Sequence, residues 1–254
     1  MCIAYLALGD PDWPLLIAAN RDEYHARPTA AAAPWADRPD IIGGLDLHAG
    51  GTWLGRSRAG RYALLTNYRE PGRHRSGAPS RGALVRDFLL GTDSAAAYAE
   101  AVCARGADYN GFNLIIGAAD GVRYLGNRDP SGRARPLTPG RYVLSNHLLD
   151  TPWPKAARLR AALDTQPVGM LAADPDGVFA VLRDAEPAED AALPATGVSI
   201  EFERLLSSPF IVSPDYGTRC TTVIAVAADG HALFSEQRYD PAGRACERHD
   251  WWTR

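Results

Sequence analysis

The first apolar positions of the chain fall in two short runs, "CIAYLAL" (2–8) and "LLIAA" (15–19), separated by "GDPDWP". Both have strand length, both are apolar on alternate and intervening positions, and turn residues bound them, which predicts two strands on a short turn. Antiparallel pairing returns the second strand across the first, so Cys2 comes near the end of "LLIAA", where "NRDE" (20–23) begins. The stretch "IIGGLDLHAGGTWLGRSRAGRYALLTNYREPG" predicts a further meander, with "GTWLGRS" and "RYALLTN" as strands. Between 80 and 105 the period becomes helical. Leu84, Phe88 and Leu89 share one face, Ser80 can cap the start, and "TDSAAAYAEAVCAR" predicts a second helix behind Gly91. Strands return in "YNGFNLIIGAADGVRYLGNR" and "GRYVLSNH"; "PWPKAARLRAALD" and "GMLAADPDGVFAVLRD" are helical. Residues 184–200 are rich in Ala, Pro and acids and predict a surface loop. The chain then closes with a hairpin turning at "AADG" within "FIVSPDYGTRCTTVIAVAADGHALFSEQRYD".

Strands, helices, strands, helices and strands in that order predict an α+β fold with helices outside stacked sheets. No linker or repeat divides it, so 1–254 is expected to be a single domain. No GxGxxG follows a strand, which leaves a dinucleotide site without support. The net charge is −3, from 27 basic and 30 acidic residues, so nothing electrostatic favours nucleic acid or an anionic membrane as partner. The four cysteines, at 2, 103, 220 and 246, form no CxxC and no disulfide framework. With no secretory signal pattern and no apolar run of membrane-spanning length, a cytoplasmic protein without stable membrane insertion is expected.

Cys2 directly follows the initiator Met. Removal of Met1 would put a thiol and an α-amine on one residue, and an amine with a pKa near 8 can take the thiol proton. Arg21 can hold an anion in its donor fork and Asp22 can orient the amine, provided the strand bends between them. Asn67 and Asn146 end strand-like runs and are candidate oxyanion donors; Arg219, between a turn and a strand, is a candidate anion anchor. The six histidines form no HExxH or other cluster, so no metal site is expected.

The pieces "MCI", "ANRDEYHARP", "GGTWLG", "LLTNYREP", "SRGALVRDFL", "YNGFNLIIG", "LSNHLLDTPWPK" and "YGTRCTTV" together resemble the NRDE family, also called the transport and Golgi organization protein family. That family is similar in turn to N-terminal nucleophile hydrolases of the choloylglycine and penicillin acylase kind. The resemblance implies a four-layer αββα sandwich of two antiparallel sheets. It also implies Cys2 as nucleophile, Arg21 and Asp22 beside it, Asn67 and Asn146 at the oxyanion and substrate, and Arg219 as the late arginine. The amidases separate the corresponding Arg and Asp by two residues, whereas Arg21 and Asp22 are adjacent. The expected function is a cysteine amidohydrolase cleaving a carbon–nitrogen amide bond of a small or acyl-containing substrate, without cofactor. The alternative is a non-catalytic haem or acyl-lipid binding and trafficking protein that uses the same cleft.

Overall fold

The structure is a computed structural model, and it describes residues 2–254. β1 (Cys2–Leu8) and β2 (Leu15–Tyr24) form the expected hairpin, with Leu8 opposite Leu15 and Cys2 opposite Arg21. β2 runs five residues beyond the apolar stretch, so "NRDE" lies within the strand and not in a turn after it. The described chain divides into two compact units.

The first unit holds residues up to Ala26, Pro139–Ser145 and Leu149–Arg254. Its strands β10 (Gly140–Leu144), β11 (Tyr216–Val226), β12 (Ala232–Tyr239) and β13 (Ala245–Thr253) join the hairpin in one antiparallel sheet of order β10-β1-β2-β11-β12-β13. β2 is therefore a central strand, hydrogen-bonded on both edges. Four α-helices belong to the same unit: α3 (Pro154–Asp164), α4 (Val168–Ala173), α5 (Pro175–Leu182) and α6 (Ile200–Leu205). On one face of the sheet, Ile3, Tyr5, Leu16, Ala18 and Val223 pack against Leu159 and Leu163 of α3 and Val178, Phe179 and Leu182 of α5. Pro154 opens α3 at a position whose missing N–H has no partner to lose.

The second unit holds Arg27–Thr138 and Asn146–Leu148. Its antiparallel sheet runs in chain order through β3 (Thr29–Trp35), β4 (Arg38–Asp46), β5 (Leu54–Ser57), β6 (Tyr62–Asn67), β7 (Phe112–Ala118), β8 (Gly121–Gly126) and β9 (Arg135–Leu137). α1 (Gly82–Leu90) and α2 (Ala95–Ala104) cover one face. Leu84 and Phe88 of α1 and Tyr98 and Val102 of α2 pack on Leu114, Ile116 and Leu125. Ser94 caps α2, its Oγ accepting from the Ala97 N–H. Ser80 does not cap α1: Arg81 holds that position, and the Ser80 hydroxyl donates to the Gly50 carbonyl at 3.4 Å instead. Among the described residues, no helix is long and apolar enough to cross a membrane.

Candidate functional site

The register across the first unit's sheet sets the site. Cys2 and Cys220 both lie opposite Arg21, and Cys220 lies opposite Arg238. Directly paired residues share a face, so Cys2, Arg21, Cys220 and Arg238 form one row across β1, β2, β11 and β12. The neighbouring row, Ile3, Asn20 and Thr221, points the other way, because Ile3 packs in the core under α3 and α5. The two-residue period of β2 therefore divides "NRDE". Arg21 and Glu23 take one face, Asn20 and Asp22 the helix-covered one.

The helix-side pair is occupied with holding the fold. Asn20 is buried, and its Nδ2 donates to the Leu182 carbonyl at 2.8 Å and the Pro209 carbonyl at 2.9 Å. Its Oδ1 accepts from Thr221 Oγ1 at 2.5 Å. Asp22 Oδ1 accepts from Thr218 Oγ1 at 2.7 Å, and that hydroxyl accepts in turn from the Ile211 N–H at 2.9 Å. Burial raises the Asp22 carboxyl above its ordinary range. The nearby ammonium of Lys155, itself only 1% exposed at the start of α3, acts in the opposite direction.

Arg21 and Arg219 gather positive charge on the other side. A β-bulge falls between Thr218 and Cys220, leaving Arg219 as the extra residue of β11. Bulges re-aim a side chain in this way. Arg219 Nη1 donates to the Tyr24 carbonyl at 2.9 Å and the His25 carbonyl at 3.2 Å. Burial first, then the charges of Arg21 and Arg238, lower its pKa, and the guanidinium stays cationic at neutral pH. Arg21 Nη2 stands 3.9 Å from Glu23.

The two thiols of this row are removed from water to different degrees. Cys2 is half-buried, and desolvation pushes its thiol up, with the Asp22 charge adding to the rise and Arg21 opposing it. Cys220 is raised well above its ordinary value by burial and then by Glu236. Met1, whose removal the hydrolase expectation requires, lies outside the described residues. Asn67 and Asn146 belong to the second unit. There Asn146 Nδ2 donates to the Asn67 carbonyl at 3.0 Å, and the Asn146 carbonyl accepts from the Arg69 N–H at 2.7 Å. Among the described residues, no three of His, Cys, Asp and Glu are grouped to hold a metal ion. Sequence reasoning missed Cys220, Arg238, Lys155 and Thr218. Only the register across strands connects them, and "TRCTT" carries no local mark of it.

A family model described as "Transport and Golgi organisation 2" matches residues 1–241. The chain is 40% identical over 241 residues to a Transport and Golgi organization protein 2 homolog of Bos taurus, covering 88% of this chain and 86% of that one. It is 38% identical to the Homo sapiens homolog over 240 residues, with the same shares covered. Among solved structures it resembles a Caenorhabditis elegans N-acylethanolamine-hydrolyzing acid amidase ortholog, with a TM-score of 0.46, 12% identity and coverage of 88% of this chain and 92% of that one. These matches agree with the transport and Golgi organisation part of the expected resemblance and correct its other part, the alliance of an NRDE family with N-terminal nucleophile hydrolases. The cysteine amidohydrolase expectation falls with it: Asp22 lies on the helix-covered face, away from the row that holds Cys2, and Asn146 spends its amide on the Asn67 carbonyl.

Proposed function

The chain belongs to the Transport and Golgi organisation 2 family, and from that premise we propose that it is a non-catalytic protein that binds and traffics an anionic amphiphile, haem or an acyl lipid. The near-complete match to proteins named for transport carries this reading. Geometry supports it in the row that Arg21 and Arg238 share with Cys2 and Cys220, where the bulge brings in Arg219 as well. Guanidiniums recognise carboxylates and phosphates through two parallel donors, and both ligand types carry such a group at one end of an apolar body. In this proposal Arg21 and Arg219 hold the anionic end, and Cys2 lies beside them as a neutral thiol. Asp22 holds β2 to β11 through Thr218. Asn67 and Asn146 are polar ties within the second unit.

The single domain 1–254 forms part of the same proposal. Support comes from chain passages between the units at 26/27, 138/139, 145/146 and 148/149. A cytoplasmic setting is supported by four free cysteines.

The test is direct binding by the full chain. Haemin is titrated by absorbance and a long-chain acyl-coenzyme A by calorimetry, each against the unsubstituted protein and Arg219→Gln. Saturable binding of one of them, weakened about tenfold or more by the substitution, is expected from a lost charge-assisted contact of about 1.5–3 kcal/mol. Absence of saturable binding of both ligands would sink the proposal. Equal binding by Arg219→Gln would remove the assigned site while leaving the carrier reading intact.

A further inference from the structure

A groove in the second unit carries chemistry that the carrier reading does not use. It has a volume of about 390 Å³, within the range of small-molecule pockets. Ala96, Glu100 and Cys103 line it from α2, Arg123 from β8, and Gly132–Ala134 from the loop before β9. The three α2 residues stand at spacings of four and three, so they form one stripe along the helix, and Ala96 leaves room at its end. Arg123 lies opposite Ile116, which packs in the core under α1 and α2, and this turns Arg123 to the helix-covered side.

Four groups thus face one space: two guanidiniums, a carboxylate and a thiol. Neither Glu100 nor Arg133 uses its side chain in a hydrogen bond or ion pair among the described residues, and Arg123 Nη1 donates to the Val122 carbonyl at 3.1 Å. Cys103 is half-buried, and the Ala134 N–H points at its sulfur. A ligand that complements all four carries two carboxylates for the arginines, one ammonium for Glu100 and a sulfur for Cys103. We propose that this groove recognises a γ-glutamyl thiol peptide of the glutathione type and directs its mixed disulfide to Cys103.

The step is thiol–disulfide exchange with the oxidised peptide disulfide as co-reactant. Cys103 Sγ attacks one sulfur, the Sγ–S bond forms as the S–S bond breaks, and the departing peptide thiolate takes up the proton given up by Cys103. One free peptide thiol is released per adduct, and no other oxidant is consumed. Burial raises the Cys103 thiol, so exchange accelerates with rising pH and rates are compared at one pH. The site is independent of the ligand site proposed for the first unit.

Cys246 is exposed in β13 and serves as an internal control. The full chain is incubated with oxidised glutathione or, separately, with neutral hydroxyethyl disulfide, and the rates of adduct formation at Cys103 and Cys246 are read by peptide mass spectrometry. Paired positive charge in a cleft raises encounter with an anion about tenfold or more. The Cys103-to-Cys246 ratio is therefore expected to be about tenfold higher with glutathione disulfide than with the neutral reagent. Arg123→Glu with Arg133→Glu should erase that difference, and Arg133→Lys should keep most of it. Equal ratios for the two disulfides, or a preference unmoved by charge reversal, would overturn the proposal. Because Arg133 is exposed, Arg133→Glu alone gives the same readout without a risk to folding.

Discussion

Replacing Asn20 with alanine isolates what the helix-side half of the motif contributes. The amide makes three buried bonds, to the Leu182 and Pro209 carbonyls and to the Thr221 hydroxyl, at 2.8, 2.9 and 2.5 Å. Each is worth about 1 kcal/mol net, and each partner left buried without a replacement costs about 1–3 kcal/mol. Thr221 retains the Tyr239 hydroxyl at 3.1 Å, so the larger share comes from the two carbonyls. The sum is a loss of about 3–4 kcal/mol. For a chain of this length it corresponds to a fall in Tm of roughly 6–15 °C. Urea denaturation followed by circular dichroism should show a lower midpoint with an unchanged slope. Asn20→Asp adds a sign. Its carboxylate would face two carbonyl oxygens, and only the protonated acid can donate to one, so the folded pKa rises above its ordinary value near 3.9. The stability it retains is present below the unfolded pKa and is lost as pH rises through the folded one. Asn20→Asp should therefore lie nearest the unsubstituted protein at about pH 4 and furthest from it at about pH 7. A loss below about 1 kcal/mol for Asn20→Ala, or a flat pH profile for Asn20→Asp, would refute the structural role assigned here.

Tyr98 donates to the Leu84 carbonyl at 2.8 Å, and burial, followed by the Asp87 charge, pushes its pKa up to about 12. Its contribution is present at neutral pH and lost as pH rises from about 10, the unfolded value, through the folded one. Tyr98→Phe should cost about 1 kcal/mol at pH 7 and flatten this alkaline loss in a pH series of thermal melts. A Cβ at Gly117 would stand 2.1 Å from Tyr62 Cζ, because the Tyr62 ring lies over the glycine opposite it. Gly117→Ala should cost about 1–3 kcal/mol by denaturation. Combining it with Tyr62→Leu should recover part of that loss, and strictly additive losses would count against the clash.

The β1–β2 hairpin was legible because both runs are apolar and a turn separates them, and its register brings Cys2 to Arg21 as the pairing rule requires. "NRDE" reads as the end of the second strand because four polar residues rarely continue one. Their burial depends on partners far along the chain: Leu182, Pro209, Thr218 and Thr221. Nothing near residue 20 announces them. The bulge that frees Arg219 from the alternation is equally silent, since "YGTRC" reads as a turn leading into a strand and marks no extra residue. β3 was missed because "TAAAAPW" is poor in β-branched residues, and β13 because "ACERHDWWT" places charges along an edge strand. Helical periodicity located α1 and α2. Ser80 as a cap is a local expectation that its bond to the Gly50 carbonyl overrules.

The place of β2 between β1 and β11 also sets a schedule. Leu15 pairs with Leu8 almost as soon as it is made, but its other partner is Val226, roughly 200 residues later in synthesis. At about 5–20 residues per second the hairpin stands for roughly 10–40 s with one edge of β2 open. Leu15–Ala19 are apolar throughout and present their unpaired N–H and C=O groups along that edge. The newborn chain thus passes through an interval in which its second strand can template another chain's β-segment. Slower elongation before residue 216 lengthens that interval, and a chaperone that covers the hairpin's open edge protects the strand that later carries Arg21.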